Sequence, residues 1–196
     1  MAFSGRSTIF PKPLYSVPLA LANLGSAGQP LMMNEIYNKR ILELAGNIPR
    51  IGRLEAPQAS ATALSKLCGS TVTIDLKMDG DVVSDFAHQV KACALGQASS
   101  SIMARQVVGS SASELRALRE TVRKMLKENG APPQGKWADV AVLEPVRDYK
   151  ARHASTLLTF DAVVDAIGQI EAGRAQKDES GETVRHSQEP ESAPTY

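Results

Sequence analysis

Residues 71–90 leave this chain little freedom in how it folds. Val72, Ile74, Leu76 and Met78 alternate with Thr71, Thr73, Asp75 and Lys77, the period-two pattern of a strand with one face buried. Asp79-Gly80 follows, a dipeptide suited to a two-residue hairpin turn in which both positions take positive φ. The return strand runs from Asp81 to about Val90, with Val82, Phe86 and Val90 on one face. A hairpin with one apolar face needs a second layer to cover it.

The flanking sequence supplies helices for that layer. Before the hairpin, Ile36, Tyr37, Ile41, Leu42 and Leu44 have helical spacing, with Glu35 in the first turn and Gly46 and Pro49 as a stop. Residues 46–66 read as irregular. After the hairpin, Ala94 to Val108 reads as a helix closed at Gly109. Ser111 with Glu114 forms a capping box for the next helix, whose stripe is Leu115, Leu118, Val122, Met125 and Leu126. Asn129-Gly130 and Pro132-Pro133 end it. Residues 131–151 read as loop with a short helical stretch anchored by Trp137. A last helix is expected from Ser155 or Thr156 to about Ala172, burying Leu157, Leu158, Val164, Ile167 and Ile170.

The ends differ in texture. Residues 1–32 hold four prolines and no acidic residue, and are expected to be a disordered leader. Pro18 interrupts the apolar part, so a secretory signal does not fit, and an organelle presequence would be short of cations. Residues 173–196 are polar, Glu-rich and Pro-containing, and are expected to form a disordered tail. One domain over 33–172 lies between. Hydrophobic residues make up 43% of the chain, enough for a core. A net charge of +1 and only 5% aromatics give no footprint for nucleic acid. No apolar run is long enough for a membrane span. There is no nucleophile elbow, phosphate-binding loop or dinucleotide fingerprint.

What chemistry the chain carries centres on its two cysteines, Cys68 and Cys93, which bracket the hairpin. Two cysteines do not make a disulfide scaffold, and a reducing compartment is the simpler setting. Cys68 precedes Gly69, which permits tight backbone approach. Cys93 stands between a strand and a helix, where N-terminal amides favour a thiolate. Soft thiolates select zinc, copper(I) or iron–sulfur clusters. Two of them cannot close a tetrahedral site, so further ligands would come from elsewhere. The plain alternative is a pair of small core residues.

The order of several short segments resembles the NifU/IscU-type scaffold proteins of iron–sulfur cluster assembly, in particular their SufU-like branch. Ile36-Tyr37 with Ile41-Leu42, followed by Asn47-Ile48-Pro49-Arg50, resembles the family's opening helix and Asn-Pro-Arg segment. Leu67-Cys68-Gly69 resembles the first cysteine motif. Lys91-Ala92-Cys93-Ala94 with Gln97-Ala98-Ser99-Ser100-Ser101-Ile102-Met103 resembles the second, and is the most specific match. Arg152-His153-Ala154-Ser155-Thr156-Leu157-Leu158 resembles the segment of the third. The likeness spans roughly 34–172 and departs from the family in two places. Ser70 stands where the family has aspartate, and Ser155 where it has the third cysteine. A serine hydroxyl is a poor ligand for soft metals. His153, two residues before Ser155, is near the place where one branch has a histidine, and could supply an imidazole. His88 reads as structural, and His186 falls in the tail.

The resemblance implies an α+β fold, with a small antiparallel sheet of about three strands and helices packed on one face. The third strand should come from about 52–66. It implies that Cys68, Cys93 and Ser155 cluster at one end of the domain. It implies a scaffold, not an enzyme, that binds iron or a labile 2Fe–2S cluster through Cys68 and Cys93 and passes it on. The partners implied are a cysteine desulfurase and acceptor apo-proteins, with a homodimer sharing the cluster. No nucleic acid and no membrane enter, and the cytoplasm is the expected compartment, with the mitochondrial matrix as alternative. Two other roles follow from the missing ligands: an interaction module for a desulfurase or a true scaffold, and a zinc-dependent sulfur acceptor.

Overall fold

A computed structural model describes residues 38–186 of the chain, with side chains as far as Lys177. The leader expected over 1–32, the residues 34–37 expected to open the first helix, and 187–196 of the expected tail lie outside the described residues.

The hairpin is present, as β2 (Thr71–Asp79) and β3 (Val82–Lys91). Val72, Ile74, Leu76 and Met78 all point inward and are buried. Two details differ from the sequence reading. The turn is Gly80-Asp81, and Asp79 still pairs with Val82. Gly80 has φ 55° while Asp79 and Asp81 keep negative φ, so one left-handed position suffices. A bulge between Lys77 and Met78 then shifts the return strand, because Lys77 pairs with Asp85 but Met78 with Val83. The extra residue, Ser84, moves the alternation by one. Val83 is buried and Val82 is exposed, where Val82 had been expected inside.

The third strand is β1 (Ala59–Leu64), antiparallel to β2, and gives the order β1-β2-β3. Its sequence has little strand propensity. Register supplies what propensity lacks: Ala59, Ala61 and Ala63 sit opposite Leu76, Ile74 and Val72. Small side chains there leave room for the long terminal helix, which crosses β1 and β2.

Among the described residues, four helices pack around a run of 3₁₀ turns. They are α1 (Lys39–Gly46), α2 (Ala94–Gln106), α3 (Ala112–Lys127) and α4 (Lys150–His186), with the 3₁₀ segment at Gly135–Asp148. Asn38 caps α1 by accepting from Ile41 N at 3.0 Å. Ser111 caps α3 by accepting from Glu114 N at 3.1 Å. Glu114 reaches back, its carboxylate taking a hydrogen bond from the Ser111 backbone, so the expected box is present. The same carboxylate accepts from Trp137 Nε1 at 2.6 Å and from Lys136, which ties the 3₁₀ segment to α3. The expected stripe of α3 is buried throughout. Phe86, Ile74, Leu76, Leu95, Ile102 and Phe160 are among the side chains fully withdrawn from water, each contributing about 2–3 kcal/mol of transfer free energy. The result is an α+β domain with a three-stranded antiparallel sheet.

α4 departs most from expectation. It begins at Lys150, directly after the 3₁₀ segment, so Ser155 and Thr156 lie inside it. Their hydroxyls bond back to Arg152 O, at 3.0 and 2.9 Å, and do not cap. The helix also continues past Ala172 into the stretch read as tail. Arg174 explains this locally: it donates to Gly80 O at 2.6 Å and to Met78 O at 3.1 Å, tying the helix to the hairpin turn. Within it Val163, not Val164, is fully buried.

Candidate functional site

Three pieces of backbone converge at one end of the domain. The first is the loop between β1 and β2. Ser65 N donates to Ser70 O and Gly69 N to Ser65 O, both at 2.9 Å, and Gly69 adopts φ 67°, a conformation that costs glycine nothing. The closed loop leaves Cys68 exposed at its tip. Leu67 beside it is 77% exposed and Leu64, at the end of β1, 57%, so the thiol sits on an apolar rim.

The second piece is the junction of β3 and α2. Cys93 is the N-cap residue of α2, yet its sulfur makes no capping bond. The amide stabilisation expected for it is therefore not made through a hydrogen bond. Its carbonyl accepts from Gln97 N at 2.9 Å, and its sulfur turns toward α4. The third piece is α4 itself, which presents the buried Ser155 with Oγ 3.6 Å from Cys93 Sγ. Gly96 makes this approach possible. A Cβ there would lie 2.8 Å from Ala92 Cβ and 3.0 Å from Ser155 O.

Serine hydroxyls connect the sulfurs. Cys68 Sγ lies 3.1 Å from Ser70 Oγ and 3.3 Å from Ser65 Oγ. Ser70 Oγ accepts from Cys93 N at 3.3 Å, which leaves its own proton free to face Cys68. Once Cys68 ionises, Ser65 and Ser70 donate to the thiolate and stabilise it. They lower the Cys68 thiol from its ordinary value of 9.0 to about 7, with Ser65 the largest cause and Ser155 the smallest. The proton of Ser155 is engaged with Arg152 O, which accounts for its minor share. A thiol this acidic, exposed and at a loop tip is a competent nucleophile and metal ligand near neutral pH.

Cys68, Cys93, Ser70 and Ser155 are thus neighbours. His153 is not one of them. It is buried, and its Nε2 faces Val146 O at 3.1 Å and Arg147 O at 3.0 Å at the end of the 3₁₀ segment, so that nitrogen is used in joining α4 to the preceding turn. The expectation that it ligates metal with the cysteines is corrected accordingly: among the described residues no group of three or more His, Cys, Asp or Glu is placed to hold an ion. His88 is structural as expected, buried on β3 with Nε2 3.0 Å from Pro49 O. Burial holds its imidazole below the usual value. His186 lies at the end of α4, beyond the described side chains. Ser65 is the site residue that sequence reasoning missed. Its place three residues before Cys68 carries no recognisable signature in the sequence.

This arrangement has relatives. The NifU-like N terminal domain model matches residues 36–156, well over half of the chain. The crystal structure of a nitrogen-fixing NifU-like protein (N-terminal) from Brucella abortus is 68% identical, with a TM-score of 0.71, over 72% of this chain and 98% of its own. The iron–sulfur cluster assembly scaffold protein IscU of Thermotoga maritima is 25% identical over 140 residues, 71% of this chain and 98% of the relative. The zinc-dependent sulfurtransferase SufU of Bacillus subtilis is 23% identical over 106 residues, 54% of this chain and 72% of the relative. With the family model spanning the hairpin, the two cysteine segments and the start of α4, the chain belongs to the NifU-like N terminal domain family.

Proposed function

We propose that this protein is a scaffold for iron–sulfur cluster assembly. Cys68 and Cys93 take iron and sulfide as cargo, hold the nascent cluster and surrender it to an acceptor apo-protein. The observation that carries the reading is the meeting of Cys68 and Cys93 across Ser70 and Ser155 at an exposed edge. The IscU relative is named a scaffold of this kind. A cysteine desulfurase is the proposed source of sulfur.

The donor set decides how the cargo is held. A 2Fe–2S cluster takes four cysteine thiolates, and this chain has two. Two copies supply four, so we propose a cluster shared across a homodimer and easily released. Zinc as a resident ion fits poorly. It wants four ligands, or three and a water, and among the described residues the two thiols gain no third His, Cys, Asp or Glu. Ser70 and Ser155 offer protonated hydroxyls, already engaged with Cys93 N and Arg152 O. The zinc chemistry in the name of the SufU relative is accordingly not carried over, and the protein is proposed to be a carrier, not an enzyme. No described helix is long and apolar enough to cross a membrane. The bacterial relatives favour the cytoplasm as its compartment and give the matrix alternative no support.

Anaerobic reconstitution with ferrous iron and sulfide tests the proposal, read by visible absorption, iron counting and size-exclusion. The expected result is a chromophore with about two irons per pair of chains, eluting as a dimer and abolished by Cys68→Ser or Cys93→Ser. The absence of any cysteine-dependent chromophore would overturn it. Desulfurase capture that survives both replacements would then favour the interaction module.

A further inference from the structure

We propose that Cys68 and Cys93 also work as a dithiol that reduces sulfane sulfur, so that the site makes its own sulfide from a persulfide. The inference rests on the sulfur-handling part of the proposed function and specifies how sulfur becomes usable there.

Geometry assigns the two thiols different parts. Cys68 is the exposed one, at the tip of a short loop; Cys93 is half-buried beneath it. An incoming persulfide therefore meets Cys68 first. Ser70 Oγ links the two residues, 3.1 Å from Cys68 Sγ and accepting from Cys93 N. Ser155 Oγ, 3.6 Å from Cys93 Sγ, is also within hydrogen-bonding reach of Cys68. Both sulfurs thus border one hydroxyl, and no imidazole or third thiol stands between them. A disulfide needs the sulfurs to close to about 2.05 Å. The closure belongs to the Cys68 loop, which is held shut by only two of its own backbone bonds.

The chemistry balances in two exchanges. The Cys68 thiolate attacks the outer sulfur of a donor persulfide. The donor's S–S bond breaks, its electron pair leaves with the donor thiolate, and Cys68 becomes a persulfide. The Cys93 thiolate then attacks Cys68 Sγ. A Cys68–Cys93 bond forms, the bond to the outer sulfur breaks, and that sulfur departs as hydrosulfide. The two cysteine sulfurs are oxidised by two electrons in total, and the sulfane sulfur is reduced by two. A separate dithiol reductant returns the disulfide to the two thiolates that the cluster needs. Ser65 and Ser70 act as positioning residues, because their hydroxyls face the sulfur that is attacked twice.

The experiment uses the full chain, reduced, chelator-treated and anaerobic, with one equivalent of glutathione persulfide as donor. Free sulfide is assayed and the intact protein is weighed by mass spectrometry. The expected result is about one sulfide per chain, with a loss of two hydrogens in mass that dithiothreitol reverses. Cys93→Ser should retain a gained sulfur on Cys68 and release about tenfold less sulfide. A wild-type chain that keeps the gained sulfur without releasing sulfide would overturn the proposal, as would a disulfide joining two chains on a non-reducing gel. The wild-type measurement decides even if a variant fails to fold. Cluster reconstitution starts from preformed sulfide and bypasses this step. Failure there with sulfide release intact removes the scaffold reading alone, and the converse removes this one alone.

Discussion

Ser65 shows how much one ordinary side chain can decide. Its hydroxyl is the largest of the influences that bring the Cys68 thiol to about 7, ahead of Ser70. Cys68 is an acid whose folded value is depressed. The hydroxyls therefore favour the folded protein at pH above the ordinary thiol range, and this contribution is lost as pH falls through about 7. Replacing Ser65→Ala removes that donor and leaves Ser70 and its bond to Cys93 N in place. The midpoint of the iodoacetamide alkylation profile of Cys68 should move up from about 7 toward 9.0, with the rate at neutral pH falling roughly threefold or more. An unmoved midpoint would show that Ser70 alone sustains the thiolate. Cys68 and Cys93 were legible in the sequence because cysteines are few and stood in motifs. Ser70 and Ser155 were legible because they stood where a family has ligands. Ser65 was not, because a serine three residues from a cysteine has no signature until the loop closes on itself.

Between elements, the site depends on how closely α4 can lie against the start of α2. Gly96 sets that distance. The Cβ of Gly96→Ala would meet Ala92 Cβ at 2.8 Å and Ser155 O at 3.0 Å, and the second contact is backbone that a rotamer change cannot relieve. We expect a loss of about 1–3 kcal/mol in urea denaturation, and Cys93 becoming more reactive toward alkylation as Ser155 moves off it. Unchanged stability would mean that the helices slide apart without cost. The same scale explains which elements the sequence revealed. β2 and α3 carried strong periodicity, and both are present. β1 gave a poor strand signal, since Ala59, Ala61 and Ala63 fit beneath α4 but have little strand propensity. The inward residue of β3 was placed one position off because a bulge at Lys77 and Met78 leaves no local mark. The start of α4 was placed too late because Ser155 and Thr156 look like caps when their back-bonding to Arg152 is invisible.

For the molecule as a whole, α4 is the strap that joins both ends of the sheet. Ser155 lies near one end, by the cysteines, and Arg174 reaches the hairpin turn at the other through Met78 O and Gly80 O. Arg174→Ala should cost about 1 kcal/mol and raise amide exchange in the Gly80-Asp81 turn while leaving Cys68 alkylation unchanged. Faster exchange confined to α4, with the turn as protected as before, would show that the anchor serves the helix only. Helical periodicity predicted most of the buried face of α4 but not its reach beyond Ala172, because a polar composition hides a helix anchored by a long-range partner such as Arg174.

A consequence for biosynthesis follows from where Ser155 lies in the chain. Ribosomal synthesis delivers both sulfurs well before the segment that packs against Cys93, and contacts so distant along the chain form late. Until that last helix seats, Cys93 lacks the neighbour that Ser155 provides and is as open to air, copper and stray electrophiles as Cys68 stays throughout. The interval between translation of Cys93 and docking of α4 is therefore when that one sulfur is most open to oxidants.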